Sequence, residues 1–353
     1  MKMTRLLSWL AVLALLGACA GTTTSIQPAE PELQASKSEP PVFQSDVSGE
    51  LTPWTHDNFD NEEGKFTFAV FSDLTGGERP GVFEVAVAQL NLLRPEFIVN
   101  VGDLIEGGTT DNDQLSREWQ SFDQRAGIAR APVFYTGGNH DLTNPRMWEV
   151  WEERYGRRYY HFLYKDTLFL VLDTEDNPPE FQRRISDIRD EAIRIIDEQG
   201  WEALPETEYG KLTERKSGRI SAQQAEYFRE VIAQNPDVRW TFLLMHKPAW
   251  ERPNEENFAT MESALQGRPY TVFYGHVHSY LHEQRHGRDY VRLATTGGVQ
   301  NPAKDMAIDH VTLVTVSGDT IDIANLRMSG IFDRTGKIPA GGEDLCFEAA
   351  KCE

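Results

Sequence analysis

The sequence Gly275-His276-Val277-His278 follows the apolar run 270–274, and Gly137-Gly138-Asn139-His140-Asp141 follows the apolar run 133–136. Short apolar runs bounded by glycine are typical of buried β-strands. A polar side chain that directly follows such a strand lies at the rim of a sheet. Both motifs therefore predict sheet edges that carry the side chains of metal ligands.

Three further apolar runs end in the same way. Asp73 follows the run 68–71, Gly102-Asp103 follows 97–101, and His246 follows 242–245. Carboxylate, amide and imidazole side chains at five strand ends predict a metal site that is built from loops. This ligand chemistry suits Mn, Fe or Zn.

Composition and charge describe a large and acidic protein. The chain has 353 residues, of which 40% are hydrophobic and 10% aromatic, and a formal net charge of −20. A large core is therefore expected, in one large domain or two small ones. The acidic surface argues against nucleic acid as a general partner and disfavours a nuclease. It is compatible with a local positive metal centre that attracts phosphate.

The N-terminus has the pattern of an export signal. Lys2 and Arg5 precede an apolar stretch at 6–16 that is too short to span a membrane comfortably, and Leu16-Gly17-Ala18-Cys19 follows. Small residues before a single cysteine resemble a bacterial lipobox. Residues 1–18 are therefore predicted to be a lipoprotein signal peptide, and Cys19 is predicted to be the lipidated first residue of the mature chain. The alternative is an ordinary signal peptide in which this cysteine is incidental.

The predicted lipid anchor places the protein in the bacterial cell envelope. Ala20 is not acidic, so the anchor is expected in the outer membrane, with the protein facing the periplasm. Residues 19–64 are rich in Thr, Ser, Pro, Glu and Gln, and are predicted to form a disordered tether. At the other end, Cys346 and Cys352 lie in a predicted C-terminal tail, 329–353. In an oxidising compartment they form either a small disulfide loop or two exposed thiols.

The folded domain is predicted to span residues 65–328. Its first half alternates strands with helices, at 66–72, 82–93, 97–101, 114–126, 133–136 and 146–155. That alternation predicts an α/β fold. The second half adds mainly strands, and the short Gly turns between the later ones favour antiparallel pairing. Together these patterns predict two packed mixed β-sheets flanked by helices, in a four-layer α-β-β-α sandwich.

Residues 175–218 have the composition of an insertion. They contain Pro178-Pro179, many charges and isoleucines at helical spacing. We predict a peripheral helical flap, either a cap that gates the substrate or a decoration of the fold.

The ordered motif set resembles the calcineurin-like metallophosphoesterase superfamily over residues 65–328. The resemblance implies two divalent metal ions, which clamp a phosphate and activate water. It implies that Asp103 bridges the two ions. The remaining ligands are then divided between the sites, with Asn139, His246 and His276 at one and Asp73 and His278 at the other.

The same resemblance assigns catalytic roles to the neighbouring motif residues. His140 is expected to protonate the leaving alkoxide or to steady the phosphate, without binding metal. Asp141 is expected to orient His140 and raise its basicity.

One motif departs from the family pattern. The first motif is usually Asp-x-His, whereas this chain has Asp73-Leu74-Thr75. Glu106 could supply the missing ligand as an oxygen; otherwise that site is weak or empty and only one metal binds. The alternative for Glu106 is a solvated loop carboxylate.

The loop after the first motif suggests a phosphate contact. Gly76-Gly77 would let backbone N–H groups approach an anion, and Arg79 could hold a phosphate oxygen. The alternative is a glycine-rich turn that carries an exposed arginine.

The sequence therefore predicts a metal-dependent phosphoester hydrolase, either a phosphomonoesterase or a phosphodiesterase, that acts on a small-molecule substrate. The competing hypothesis is a non-catalytic envelope lipoprotein that keeps the fold as a binding module, which Thr75 favours. The retained polar clusters favour the hydrolase, because buried polar groups are costly without a use. The motifs do not predict an oligomeric state.

Overall fold

The structure is a computed structural model that describes residues 42–59 and 65–352. The predicted signal peptide, Cys19 and the first part of the predicted tether lie outside the described residues. Among the described residues, none of the helices has the length and apolar composition that crossing a membrane requires.

The described residues form twelve strands and seven α-helices. The strands are β1 (Phe43–Ser45), β2 (Phe66–Phe71), β3 (Phe97–Asn100), β4 (Val133–Phe134), β5 (Tyr160–Tyr164), β6 (Thr167–Val171), β7 (Trp240–Leu244), β8 (Tyr270–Tyr274), β9 (Leu281–Arg285), β10 (Arg288–Arg292), β11 (His310–Ser317) and β12 (Thr320–Arg327). The helices are α1 (Val82–Leu93), α2 (Asn112–Ala126), α3 (Pro145–Tyr155), α4 (Pro179–Gln199), α5 (Glu208–Lys211), α6 (Ala222–Gln234) and α7 (Glu256–Ala264).

A five-stranded sheet has the order β12-β11-β2-β3-β4. Strands β2, β3 and β4 are parallel, because α1 and α2 carry the chain back between them. The hairpin β11–β12 is antiparallel and adds to the free side of β2. The carboxyl ends of the three parallel strands therefore meet at one edge.

A seven-stranded sheet has the order β1-β5-β6-β7-β8-β10-β9. The prediction of antiparallel pairing was wrong for β8 and β10, which are parallel, because β9 lies between them in the chain and pairs with the far side of β10. Strands β7 and β8 are also parallel, and α7, which the sequence analysis did not predict, connects them. This helix provides the crossover that a parallel pair needs. Strands β1 and β9 were also not predicted.

The two sheets pack face to face through an aromatic core. Phe68 and Phe97 of the five-stranded sheet contact Phe169 of the other sheet edge-on, with ring centroids 5.2 and 5.3 Å apart. Helices α1, α2 and α3 cover the outer face of the first sheet, and α6 and α7 cover the outer face of the second. The predicted four-layer α-β-β-α sandwich is confirmed.

The described part of the predicted tether, residues 42–59, and the predicted C-terminal tail both pack on the fold, so the predicted boundaries need correction. Strand β1 pairs antiparallel with β5, and Phe43 and Trp54 pack against the aromatic core between the sheets. Residues 42–59 are therefore folded and not part of a tether. In the predicted tail 329–353, Phe347 is buried against the helices of the first sheet. A disulfide joins Cys346 to Cys352.

The insertion at 175–218 is helical, as predicted. It contains α4, α5 and two 3₁₀ turns, Trp201–Glu206 and Thr213–Arg215. Buried Gln182 near the start of α4 donates to the carbonyls of Leu142 and Thr143, at 3.0 Å each. The insertion is thereby fixed to the loop that follows Asp141.

Candidate metal centre

The predicted ligand residues meet where the carboxyl ends of parallel strands from both sheets converge. Asp73 follows β2, Asp103 follows β3, and the 137–141 motif follows β4. His246 follows β7 and His276 follows β8. Parallel strands end at the same edge of a sheet, so motifs that are distant in sequence become neighbours.

Two groups of side chains could each hold an ion. The first comprises Asp103, His246 and His276, and the second comprises Asp73, Asp103 and His278. The ligand atoms within each group lie within 4.8 Å of one another. Asp103 belongs to both groups, as expected for a bridging carboxylate. The structure thus brings these five candidate ligands close together.

The distances within the groups are those of neighbouring ligands. His246 Nε2 lies 3.1 Å from Asp103 Oδ2 and 3.1 Å from Asn139 Oδ1. His278 Nε2 lies 3.2 Å from Asp73 Oδ1. Metal–ligand bonds of about 2.0–2.2 Å place adjacent donor atoms about 3 Å apart. Asn139 therefore completes the first group.

Backbone carbonyls orient the candidate histidine ligands. His246 Nδ1 pairs with the Val101 carbonyl at 2.8 Å, and His278 Nδ1 pairs with the Val299 carbonyl at 2.5 Å. His276 uses Nε2 for the same purpose, at 2.7 Å from the Arg215 carbonyl. A histidine whose one nitrogen donates to a carbonyl presents a lone pair at the other nitrogen. This is the usual outer-shell arrangement of a ligating histidine.

The backbone is strained at four of the candidate ligands. Asp73, Asp103, His276 and His278 have φ angles of 42°, 59°, 74° and 57°. Positive φ costs a non-glycine residue of order 1–3 kcal/mol and tends to cluster at functional sites. The loops therefore hold these side chains in place at a cost in stability.

Two motif glycines allow the strand ends to approach closely. A Cβ on Gly138 would lie 2.3 Å from Asp103 Oδ1, and a Cβ on Gly275 would lie 2.4 Å from Asp73 Oδ2. Both distances are well inside van der Waals contact. The glycines that bound the motifs are thus required by the packing of one motif on another.

The electrostatics of the two carboxylates fit bound cations. Asp73 is fully buried and Asp103 is 2% exposed. In the described part of the chain, histidines are the only basic side chains within ion-pair distance of either carboxylate. Buried carboxylates without a fixed cationic partner are costly, and two divalent ions would neutralise them. The residues present therefore fit the metals that the resemblance implies.

The pKa of His246 shows the same electrostatic pattern. Burial lowers it, but the Asp103 carboxylate outweighs burial and raises the pKa of His246 to about 9. Burial alone would raise the pKa of Asp103, yet the histidines around it hold that pKa well below its usual range. Positive charge is therefore favoured between these two side chains, and a metal ion supplies more of it than a proton.

Thr75 and Glu106 do not restore the missing ligand. The buried Thr75 hydroxyl donates to the Ile105 carbonyl at 2.8 Å. Glu106 belongs to neither ligand group of the described residues. Its Oε1 accepts from the N–H groups of Gly77 and Glu78, at 3.0 and 2.7 Å. In this structure the Glu106 carboxylate stabilises the loop after β2 through these two hydrogen bonds. The second group therefore has fewer candidate ligands than the first.

His140 lies at the site, but Asp141 does not orient it. His140 Nδ1 pairs with the Glu106 carbonyl at 2.7 Å. The buried Asp141 carboxylate instead accepts four backbone N–H groups, those of Asp103, Leu104, Ile105 and Gly138, at 2.8–3.1 Å. The predicted catalytic role of Asp141 therefore needs correction: this residue ties the loop after β3 to the loop after β4.

Arg79 is not available to a phosphate, contrary to the prediction. Its guanidinium contacts both Asp309 oxygens at 2.6 Å, and it also donates to the carbonyls of Gly298 and Cys346. Asp309 is fully buried, so its charge requires this partner. The loop after β2 thus ends in a structural ion pair.

A cavity of about 460 Å³ above the ligand groups is lined by Lys216, by Glu251 and by three further cations that sequence reasoning missed, Arg215, Arg292 and Lys304. Lys304 Nζ donates to the Val277 carbonyl at 2.9 Å, and Arg292 contacts the backbone and side chain of Ser279. The third is Arg215, whose carbonyl accepts from His276. Among the described residues none of the three forms an ion pair. No local motif marked them, because only the fold brings them to His276–His278.

Two packed mixed sheets with ligand groups at their shared edge define a metallophosphoesterase-type sandwich. The family model described as "Calcineurin-like phosphoesterase" matches residues 66–280, which is more than half of the chain. The chain therefore belongs to the calcineurin-like phosphoesterase family. None of the curated protein sequences matches the chain significantly.

Several solved structures are similar to this chain at low sequence identity. A purple acid phosphatase from yellow lupin is similar with a TM-score of 0.52 and 12% identity, over 77% of this chain and 53% of that one. This chain thus spans about half the length of that enzyme. A dimetal phosphatase from Danio rerio is matched with a TM-score of 0.47 and 14% identity, over 75% and 99% of the two chains. GAP50 of Plasmodium, described as an anchor in the inner membrane complex, is matched with a TM-score of 0.46 and 13% identity. The match covers 78% of this chain and 87% of that one.

Proposed function

We propose that this protein is a metal-dependent phosphoester hydrolase of the bacterial cell envelope. The observation that carries the proposal is the pair of ligand groups that share Asp103. The chemistry that two divalent ions supply when bound is a clamp on the phosphate and activation of the attacking water. Family membership supports phosphoester chemistry, and the substrate is a small-molecule monoester or diester.

The ligands would divide as the resemblance implies. Asp103, Asn139, His246 and His276 would hold the first ion. Asp73 and His278, together with Asp103, would hold the second. Because Thr75 donates to a carbonyl, the second site would bind more weakly and fill only at higher metal concentration. The nitrogen and oxygen donors suit Mn, Fe or Zn.

His140 is the proposed general acid. Its Nδ1–H donates to the Glu106 carbonyl, so that Nε2 is free to carry a proton toward the leaving alkoxide. His140 lines the cavity of about 460 Å³ and also a second cavity of about 820 Å³ that opens on the ligand groups. The backbone carbonyl supplies the orienting contact that the sequence analysis assigned to Asp141.

The cations beside the ligand groups would attract an anionic substrate. Arg215, Arg292 and Lys304 line one cavity with His276 and His278. Burial and the charges of the two arginines lower the pKa of Lys304. An anion bound in this cavity would relieve that repulsion, and the local positive field would offset the net charge of −20 of the whole chain.

The envelope location rests on the N-terminal sequence alone. Lipidation at Cys19 after removal of residues 1–18 would anchor the protein in the outer membrane, facing the periplasm. Replacing Cys19 by Ala should leave the protein unlipidated and outside the detergent phase. Continued partitioning into detergent would contradict the anchor.

The first experiment is hydrolysis of an aryl phosphomonoester and an aryl phosphodiester by residues 20–353, with manganese and with chelator, beside His140→Ala. We expect metal-dependent turnover, and a fall of kcat by a factor on the order of 10²–10⁴ in the variant, because a proton donor is lost. Metal content, measured by mass spectrometry, should stay unchanged. Loss of metal from the variant would contradict the assigned role of His140.

The control tests the metal ligands themselves. His246→Ala or His276→Ala should lose metal from the first site and abolish turnover. Retention of full metal content in both variants would contradict the ligand assignment. Absence of turnover on either ester would favour the binding module. The observation that favours the binding module is the replacement of a ligand by Thr75.

A further inference from the structure

The cleft above the ligand groups has one wall that comes from the insertion. A cavity of about 820 Å³ lies between the motif residues His140, His276 and His278 on one side and α4 with its following turn on the other. This volume is in the range of small-molecule sites. The insertion is fixed to the metal centre at both ends, through Gln182 to the loop after Asp141 and through the Arg215 carbonyl to His276.

The lining of this cleft carries an apolar strip beside the charged side chains of Arg189, Asp197 and Lys304. Ile193, Trp201 and Val299 line it and are 38%, 74% and 49% exposed. They are three of the ten large apolar side chains that are exposed among the described residues. Further apolar residues continue the lining, namely Ala192, Ile196, Leu204 and Pro302. Exposed apolar side chains that gather around one cleft mark a binding surface.

The position of the apolar strip indicates its occupant. The cleft lining includes Asn139, His140 and His276, so a molecule that fills the cleft lies beside the candidate metal ligands. The polar cavity with Arg215, Arg292 and Lys304 opens on the same motif residues and suits the phosphate itself. With the phosphate in that polar cavity, the alcohol portion of the substrate would extend toward Trp201 and Ile193.

We propose that Ile193 and Trp201 of the insertion, together with Val299 on the opposite loop, form an apolar subsite for the alcohol portion of the substrate. The inference rests on the proposed hydrolase function. The substrate class is a phosphoester of an apolar alcohol, with an alkyl chain beside the phosphate. Residues 175–218 thereby determine specificity and are not decoration of the fold.

The test is a chain-length series of alkyl phosphates. Ethyl, butyl and hexyl phosphate have leaving groups of nearly equal basicity, so their kcat/KM values report contacts to the chain. A fully buried methylene contributes roughly fourfold in affinity, and a half-open cleft about twofold. We expect kcat/KM for hexyl phosphate to exceed that for ethyl phosphate by about tenfold or more.

The matched variants are Trp201→Ser and Ile193→Ser, with Phe332→Ser as the control. Phe332 is 54% exposed and does not line the cleft. The first two variants should lose most of the chain-length dependence, because their kcat/KM for hexyl phosphate falls toward their own kcat/KM for ethyl phosphate. The control variant should keep the chain-length dependence of the wild type. Metal-dependent hydrolysis of all three esters at one rate would overturn the subsite and leave the hydrolase function standing.

A binding measurement separates the two failures. Isothermal titration calorimetry would compare methylphosphonate with hexylphosphonate on the full mature chain. If no ester is hydrolysed, the hydrolase function fails. In that case, tighter binding of hexylphosphonate that Trp201→Ser removes would still support the subsite. Equal binding of the two phosphonates, or none, would overturn it.

Discussion

Arg79 and Asp141 show how single residues in a motif take structural roles that resemble catalytic ones. Arg79 follows the Gly76-Gly77 pair, yet its guanidinium neutralises the buried Asp309. Asp141 follows His140, yet its carboxylate accepts four backbone N–H groups. Arg79 is held by the buried charge of Asp309 and Asp141 by buried backbone N–H groups, because burying a charge or a polar group without a partner is costly.

Replacing Arg79 by Leu should therefore destabilise the fold and leave substrate binding unchanged. Asp309 would keep a buried charge without its partner, at a cost of about 3 kcal/mol in the free energy of unfolding. Urea unfolding measures this cost, and KM on a phosphoester measures binding. Arg146→Leu is the control, since its ion pairs are exposed and worth little. A raised KM with unchanged stability would instead support the predicted role of Arg79 in binding phosphate.

His310 makes a second prediction at this scale. It is 2% exposed, and its Nε2 accepts the Ala294 N–H at 3.0 Å. Burial and the nearby Arg327 lower the pKa of His310 to about 4. The unfolded chain, with a histidine pKa of about 6.5, takes up a proton that the folded chain excludes, so stability is lost as the pH falls from 6.5 toward 4.

The expected loss from His310 between pH 7 and pH 5 is about 2 kcal/mol. Urea unfolding in the presence of chelator, which removes the contribution of bound metal, would measure it. In His310→Gln the difference between the two pH values should shrink by that amount. An identical pH dependence in both proteins would show that His310 is not the titrating group.

At the scale of elements, the site depends on how closely the loops after β3, β4 and β8 can pack. Gly138 brings the loop after β4 against Asp103, and Gly275 brings the loop after β8 against Asp73. Asp141 then fastens the first two loops together. The strand ends therefore form one rigid unit that carries the strained ligands.

Replacing Gly138 by Ala should disturb this unit. Its Cβ would meet Asp103 Oδ1 at 2.3 Å and the Asp103 backbone N at 2.5 Å, and backbone cannot move aside as a flexible side chain can. We expect a loss of about 2 kcal/mol or more of stability and weaker metal binding at both sites, since both share Asp103. Calorimetric metal titration and urea unfolding would show it. Gly330→Ala is the matched control, because a Cβ there meets open space, and equal behaviour of the two variants would refute the packing argument.

At the scale of the whole molecule, the seven-stranded sheet is completed by the segment before the predicted domain. Phe43, Trp54 and Phe59 form an aromatic cluster with Phe134 and Phe162 of the core between the sheets. Strand β1 covers the edge of β5, which would otherwise present unpaired backbone groups.

A chain that begins at residue 65 should therefore be less stable than one that begins at residue 42. The loss should exceed about 3 kcal/mol, since three large aromatic side chains leave the core. A chain that begins at residue 20 should match the one that begins at residue 42. Thermal unfolding of the three chains tests this prediction. If the chain that begins at residue 65 is as stable as the other two, residues 42–59 contribute nothing to the stability of the fold.

The layered α/β sandwich and the positions of Asp73, Asp103, His246, His276 and His278 near strand ends were predictable from the sequence. These follow from local signals, because an apolar run reveals a strand and the residue after it must lie at a sheet edge. The helix α1 was predicted with the bounds Val82–Leu93 that the structure has, since its apolar positions repeat with the helical period.

Which polar side chains are engaged in structural contacts, and which line the cavities, depends on tertiary packing. Arg79 pairs with Asp309, 230 residues later, and the cations Arg215, Arg292 and Lys304 come together from separate loops. The apolar wall of the insertion likewise acquires a role only where it faces His140. Such partners are set by the packing of distant segments, and no local pattern of residues encodes a contact across the fold.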